Sequence, residues 1–497
     1  MACINIKKKI GENNPIIAQR FMADPYAIEY NGRVYVYGSN DSDSLYMNED
    51  GSYPRNQYGN IRSLNCVSSD DMVNWTDHGV IQVAADKNKG VEGVAKWAGN
   101  SWAPAATYKT FKDEVTGEEK TKFFLYFANS ASSIGVLTAD TPIGPWSDPI
   151  GAPMITRETP GCENVLWMFD PAVLMDDDGI GYIYFGGGVP EGKETNPMTA
   201  RVAKLAPDMI SVEGEAVLID APYMFEDSGI NKFGDTYYYS YCTNWSEEAG
   251  AAMGKAQISY MTSKNPMGPF EYRGEIMKNP GQSEYFSPEA WGNNHHCMLQ
   301  VNDTIYMFYH TPQHEIDLNM NFDMSNGGSA YRTTYVDVAS LKGNGELVVN
   351  DMTRKGTAKQ LKTVNPTEDN SAVNFVWAND VTTVKCCDNI VLKCDKQGGF
   401  IAVAGVDTNA LSVASDMTIT AGGNNNDCTI KAYIGSVDDS NIIAEFLVAS
   451  AKEAGSVKAT VLNKKPIDLS KTGLDMYIEV SGLSEGDNVC IKDWSFN

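Results

Sequence analysis

A unit that returns five times along the chain limits what this sequence can fold into. An apolar strand, a tight polar turn and a second strand rich in Tyr and Phe run from Asp24 to Gly38, with Asn31-Gly32 at the turn. The unit recurs at Ala103 to Asn129, Asp170 to Gly186, Glu226 to Cys242 and His295 to His310. Its heads stand 56 to 79 residues apart, more than the roughly 40–50 residues of common propeller repeats. Surface insertions account for the surplus, because loop closure costs little extra per added residue. Asp41 to Asn60, full of Asp, Ser, Gly and Asn, is one such insertion.

Further punctuation is shared. A third short strand follows at Leu64 to Ser68, Ile134 to Thr138, Arg201 to Leu205 and Ile258 to Thr262. The turns after it repeat in kind, at Asp140 to Trp146 and Lys264 to Phe270, and their final aromatic is predicted to open an outer strand. With almost no helical periodicity, the chain reads as an all-β protein whose first part is a five-bladed β-propeller.

A chain of 497 residues is too long for one ordinary core. Residues 1 to about 13 form a polar lead-in, and the propeller is predicted over 14–345. A linker over 346–372 follows, and then a β-sandwich over 373–497, where Gly, Asn, Ser, Thr and Val dominate and alternating strands reappear. The strand Tyr331 to Val336 is expected to return to the neighbourhood of the first blade.

Net charge bounds the partners. At −25 the surface is acidic, which opposes binding to nucleic acid or to anionic membranes. No stretch approaches the ~18 uninterrupted apolar residues of a membrane helix. Lys7-Lys8-Lys9 is not followed by an apolar run, so a cytoplasmic protein is expected, or a secreted one if a signal peptide has been trimmed. The ten cysteines are scattered and match neither a zinc site nor a disulfide framework, which favours free buried thiols.

Two repeat heads are Asp-Pro pairs, Asp24-Pro25 and Asp170-Pro171. Proline bars the preceding residue from the right-handed helical region, so each aspartate is expected to be extended at a strand entrance. One such pair alone would read as a turn opener. Two in register with Glu226 favour a trio of carboxylates at a propeller axis, where charge needs work or a partner. Phe21, Trp102, Trp167 and Phe225 neighbour the trio, although Trp102 and Trp167 could equally be core residues. Carboxylates beside apolar platforms suit glycoside hydrolysis, which needs a proton for the leaving oxygen and a base or nucleophile on the opposite face of the sugar.

At this point the motifs resemble glycoside hydrolase family 43. They are Met22-Ala23-Asp24-Pro25-Tyr26, Trp102-Ala103-Pro104, Phe169-Asp170-Pro171-Ala172, Phe225 to Ile230, Asn294-His295-His296 and Tyr309-His310. The resemblance implies an inverting enzyme, with Asp24 as general base, Glu226 as general acid and Asp170 orienting that acid and modulating its pKa. The two catalytic carboxylates should then stand about 6.5–9.5 Å apart. It also implies that Arg332 faces the sugar pocket, together with Trp102, Trp167 and Phe225, and that His295 helps hold one hydrated Ca²⁺ near the axis. Because calcium prefers oxygen ligands, waters would supply most of that coordination. The ending Lys492 to Phe496 resembles a family 6 carbohydrate-binding module.

Some residues depart from the family. Ser39-Asn40-Asp41 stands where many relatives have Ser-His-Asp, Cys297 where serine is common, and Asp227 where a small residue is usual. Successive strand residues face opposite sides, so Asp227 is expected to point away from the site. Asp176-Asp177-Asp178-Gly179 lacks the spacing of a calcium loop and reads as a hairpin turn. His78 reads as structural and His314 as a surface-loop residue without a role.

The reading that follows is an exo-acting α-L-arabinofuranosidase on arabinoxylan- or arabinan-derived chains, with hemicellulose as partner. The alternatives are a β-xylosidase with the same trio, an endo-arabinanase and a carbohydrate-binding propeller without catalysis. The C-terminal aromatics Trp377, Tyr433, Tyr477 and Trp494 fit a sandwich core, which favours bracing over sugar binding.

Overall fold

The computed structural model describes residues 4–497 apart from 88–89, 113–114, 326, 350, 358 and 388. Five antiparallel sheets follow one another along the first two thirds of the chain, each with its strands in chain order. The first holds Met22–Tyr30, Arg33–Asn40, Ser63–Ser69 and Trp75–Gln82, and the second Trp102–Lys112, Glu119–Asn129 and Ser133–Ala139. The third is built from Ala172–Met175, Gly181–Gly186, Ala200–Leu205 and Val212–Ile219. The fourth is built from Met224–Phe233, Thr236–Thr243, Ile258–Ser263 and Glu271–Met277. The fifth comprises His296–Val301, Thr304–Thr311, Thr333–Leu341 and Leu347–Val349.

Local chemistry explains the hairpins. Tyr30 pairs with Arg33 across Asn31 and Gly32, whose φ angles are 53° and 78°. Two positive φ values in a two-residue loop are what a type I′ turn needs, and Asn-Gly meets that need without strain. The second strands are buried on both faces, as in Phe123 to Ala128 and Tyr182 to Gly186. A continuous apolar run is therefore tolerated where one sheet packs against the next. The first strand of each sheet touches that of the following sheet, and the fifth sheet's touches the first's. The resulting ring is a propeller, with the heads of the repeats at its middle.

The remainder is a β-sandwich of two six-stranded sheets around a core that includes Ile401, Ile430, Ile478, Ile491 and Trp494. It is joined closely to the first propeller sheet. Asn374–Phe375 adds a fifth strand there beside Trp75–Gln82, and Thr383 Oγ1 donates to Asp77 Oδ2 at 2.7 Å. Trp377, Tyr433 and Tyr477 pack with Val73 of the propeller, while Trp494 lies inside the sandwich. All four aromatics are buried.

The structure differs from the sequence reading in several places. Within the expected lead-in, Lys7–Lys8 pairs with Ala378 and Asn379 as an edge strand of the sandwich. Trp146 opens no outer strand in the second sheet, where isolated bridges join Thr138 to Ser147 and Ile134 to Ile155. Thr333–Leu341 does return to the first strand of the first sheet as expected, where Thr334 Oγ1 donates to the Met22 carbonyl at 2.8 Å. It is, however, an inner member of the fifth sheet, and that sheet continues to Val349, past the expected end of the propeller. His314 is buried on the short helix Gln313–Leu318, where Nε2 donates to the Ala18 carbonyl at 3.1 Å. The nine cysteines within the described residues are free, but Cys386 and Cys387 are exposed rather than buried. As expected, Asp176 to Gly179 lies in a hairpin turn, where Asp176 pairs with Lys232. No helix among the described residues is long and apolar enough to cross a membrane.

Candidate active site

Three of the five repeat heads are not extended. Asp24, Ala103 and Asp170 have φ of 49°, 37° and 48°, and each precedes a proline. Excluded from the right-handed helical region, these residues adopt the left-handed one, a conformation that costs on the order of 1–3 kcal/mol for a non-glycine residue. Pairing slips at the same points, between Ala23 and Tyr26 in the first sheet and between Trp102 and Ala105 in the second. These bulges break the strict alternation of strand side chains and re-aim them at the axis.

Neighbours over-determine the strained conformation at Asp24. Its Oδ2 accepts from Ser39 Oγ at 2.6 Å and its Oδ1 from Arg332 Nη1 at 2.8 Å, while its backbone N–H donates to His310 Nδ1 at 3.0 Å. Burial alone would raise this carboxyl's pKa. The Arg332 guanidinium, with help from His310 and His295, reverses that and holds it well below the usual carboxylate range.

Glu226 has the opposite environment. It is buried, and its Oε1 accepts no hydrogen bond. Burial first, and then the charges of Asp170, Asp24 and Asp227, push its pKa well above the ordinary value. Asp170 is also raised, by burial and by Asp24, although His295 opposes the shift. The site therefore contains one carboxyl held ionised and another held protonated, the division of labour that acid–base catalysis requires.

Asp227 does not point away. A register slip between Glu226 and Gly229, with Asp227 at φ 67°, turns it inward to a position with no solvent exposure. Its backbone N–H donates to Asp170 Oδ2 at 2.9 Å, and its Oδ2 accepts from His296 Nδ1 at 2.5 Å. His296 Nε2 in turn lies 2.7 Å from Ser240 Oγ. The expected alternation failed because it assumes a regular strand, and the bulge removes that regularity.

His295 sits among three carboxylates. Its Nδ1 is 3.7 Å from Asp24 Oδ1 and 3.8 Å from Asp170 Oδ2, and its Nε2 is 3.2 Å from Asp227 Oδ1. Burial opposes charge on the ring, but Asp227, Asp170 and Asp24 outweigh it and raise its pKa. Both ring nitrogens of His295 therefore face carboxylates, and the expected calcium would have to be held beside them, largely through waters. Among the described residues no group of three or more His, Cys, Asp or Glu is arranged to hold a metal ion.

Around this centre lies a pocket of about 620 Å³, within the range typical of small-molecule sites. Asp24, Trp102, Trp167, Asp170, Phe225, Glu226, His295 and Arg332 all line it. Trp167 makes edge contacts with Phe169 and Phe225 at centroid distances of 5.4 and 5.2 Å. Phe21 is not part of the wall, since it is fully buried against Tyr331 and Leu45.

Sequence reasoning missed several lining residues. Tyr58 comes from the polar stretch read as an insertion, and its ring lies 4.6 Å from the Arg332 guanidinium carbon. Trp245 and Trp291 also line the pocket, are 39% and 41% exposed, and stand 6.1 Å apart. A tryptophan left open to water on a loop is the signal that could have marked them.

Comparison with known proteins agrees with this chemistry. The profile of glycosyl hydrolases family 43 matches residues 12–337. An arabinoxylan arabinofuranohydrolase from Bacillus subtilis (strain 168) is 44% identical over 434 residues, 84% of this chain and 81% of that protein. Another from Paenibacillus polymyxa is 42% identical over 83% of this chain and 64% of its own length. A solved glycoside hydrolase family 43 arabinoxylan arabinofuranohydrolase from Bacillus subtilis, in complex with cellotetraose, superposes with a TM-score of 0.88 at 39% identity over 99% of both chains. With a family profile covering nearly all of the ring of sheets and these identities beside it, the chain belongs to glycoside hydrolase family 43.

Proposed function

We propose that this protein is an inverting, exo-acting α-L-arabinofuranosidase that releases arabinose side groups from arabinoxylan-derived chains. The observation that carries the reading is the opposed ionisation of Asp24 and Glu226 in one aromatic-walled pocket. The names of the two arabinoxylan arabinofuranohydrolases that the chain resembles support the choice of substrate.

In this mechanism Glu226 donates its proton to the glycosidic oxygen as the bond from that oxygen to the anomeric carbon breaks. Asp24 accepts a proton from a water that forms the new bond to the same carbon from the opposite face. The products are arabinose of inverted configuration and a chain whose hydroxyl is restored. Proton exchange with solvent then returns both carboxyls to their starting states. Asp170 keeps Glu226 protonated through its charge and orients it through Asp227. Arg332 keeps Asp24 ionised, and Trp102, Trp167 and Phe225 provide apolar faces for the sugar.

The five sheets are read as five blades of the catalytic propeller, whose last strand reaches Val349, followed by a linker and then the sandwich, which also takes Lys7–Lys8 and Asn370–Ser371 as edge strands. The sandwich resembles a family 6 carbohydrate-binding module but serves chiefly as a brace, because its candidate platform aromatics are buried. Turnover of an aryl α-L-arabinofuranoside should exceed that of an aryl β-D-xyloside, and NMR of the first-formed sugar should show the β-anomer. Faster xyloside turnover would instead make the protein a β-xylosidase, and a first-formed α-anomer would remove the inverting mechanism.

A further inference from the structure

Asp41 lies in the stretch that reads in sequence as a polar insertion, yet it has no solvent exposure. It opens the short 3-10 turn Asp41–Ser44 directly after the second strand of the first sheet. Among the described residues, every hydrogen bond its carboxylate accepts comes from Arg332. Oδ2 takes the backbone N–H at 3.0 Å and Nε at 2.9 Å, and Oδ1 takes Nη2 at 2.9 Å. A two-pronged grip of this kind fixes the plane of a guanidinium as well as its position. The Tyr58 ring covers one face of that plane. Nη1 is left to reach Asp24 Oδ1 at 2.8 Å.

We infer that Asp41, with Tyr58 behind it, is a positioning residue for the hydrolytic reaction: it orients Arg332 so that one guanidinium nitrogen is held against Asp24. Asp41 touches neither the sugar nor the water and acts only through the arginine. Holding a catalytic group in place matters because a misplacement of ~1 Å can cost on the order of 10²-fold in rate. This inference rests on the assignment of Asp24 as the base.

The test is a double-mutant cycle on kcat for an aryl α-L-arabinofuranoside, using Asp41→Asn, Arg332→Ala and the double variant. Asp41→Asn keeps the side-chain shape but loses one acceptor oxygen and the charge. Alone it should lower kcat roughly 10-fold or more with little change in KM, and bring the acid limb of the kcat/KM profile up into the measurable range. In the Arg332→Ala background the same change should have no further effect on kcat. Equal losses in both backgrounds, or an acid limb that does not move, would overturn the inference.

Should Asp41→Asn fail to fold, Tyr58→Leu in the same two backgrounds replaces it, with a smaller loss expected that again vanishes beside Arg332→Ala. Asp24→Asn separates this inference from the one beneath it. If Asp24→Asn retains full activity, the assignment of the base fails. If it is inactive while Asp41→Asn is unchanged, only the positioning role fails.

Discussion

His295 Nε2 lies 3.2 Å from Asp227 Oδ1, and this contact occupies the ring nitrogen opposite the one that faces Asp24 and Asp170. The centre of the propeller thus sets one histidine ring among three aspartates. Calcium binding through His295 would require the ring to give up these carboxylates, and a hard cation gains little from one imidazole. Dialysis against a chelator should leave kcat on an aryl arabinofuranoside unchanged, and added Ca²⁺ should not raise it. A loss that calcium restores would show that the ring turns to meet the ion.

Glu226→Gln removes the proposed proton donor without changing its shape. Hydrolysis of arabinoxylan should fall by ~10²–10⁴-fold, and less for aryl arabinofuranosides whose leaving groups depart without a proton. Equal losses on both substrate types would assign Glu226 a different role.

The pH profile follows from the two shifts. Glu226 must be protonated to act, and its raised pKa places the loss of activity on the basic side, as pH rises through that value. Asp24 must be ionised, and its depressed pKa keeps the acidic side open. Asp170 is a neighbouring charge that raises Glu226, so Asp170→Asn should move the basic limb of kcat/KM to lower pH. A limb that stays in place would mean that burial, with Asp24 and Asp227, protonates Glu226 without help from Asp170.

Trp245 and Trp291 stand on loops at the pocket wall, part-exposed and 6.1 Å apart. Two such rings suit the chain that carries the scissile side group rather than the side group itself. Replacing either by Ala should raise KM for arabinoxylan several-fold, consistent with about 1–2 kcal/mol for losing an aromatic platform. An aryl arabinofuranoside, which has no such chain, should show almost no change.

The pair Arg20–Asp77, at 2.5 Å and 1% exposure on both sides, lies where the sandwich meets the first sheet. Asp77→Ala removes the carboxylate facing Arg20 and should destabilise the fold by about 3–5 kcal/mol, measured as a lower midpoint in denaturant. Asp77 has a depressed pKa, since Arg20 and its hydrogen bonds outweigh burial. Its contribution is therefore complete above the unfolded aspartate value near pH ~4 and is lost as pH falls through the folded one. The gap between wild type and variant should narrow in acid.

The sequence by itself determined the repeating sheets, the sandwich after them and the identity of the three central carboxylates. Those features depend on local signals: strand patterning, the Asn31-Gly32 turn and Asp or Glu at matching places in successive repeats. Only the tertiary structure decided how the carboxylates are used. The bulge that turns Asp227 inward, the passage of Arg332 from the fifth sheet to Asp24 in the first, and the seating of Tyr58, Trp245 and Trp291 at one pocket each join residues distant in sequence. Their ionisation states are likewise a property of the assembled site, because burial and neighbouring charge exist only once the ring of sheets has closed.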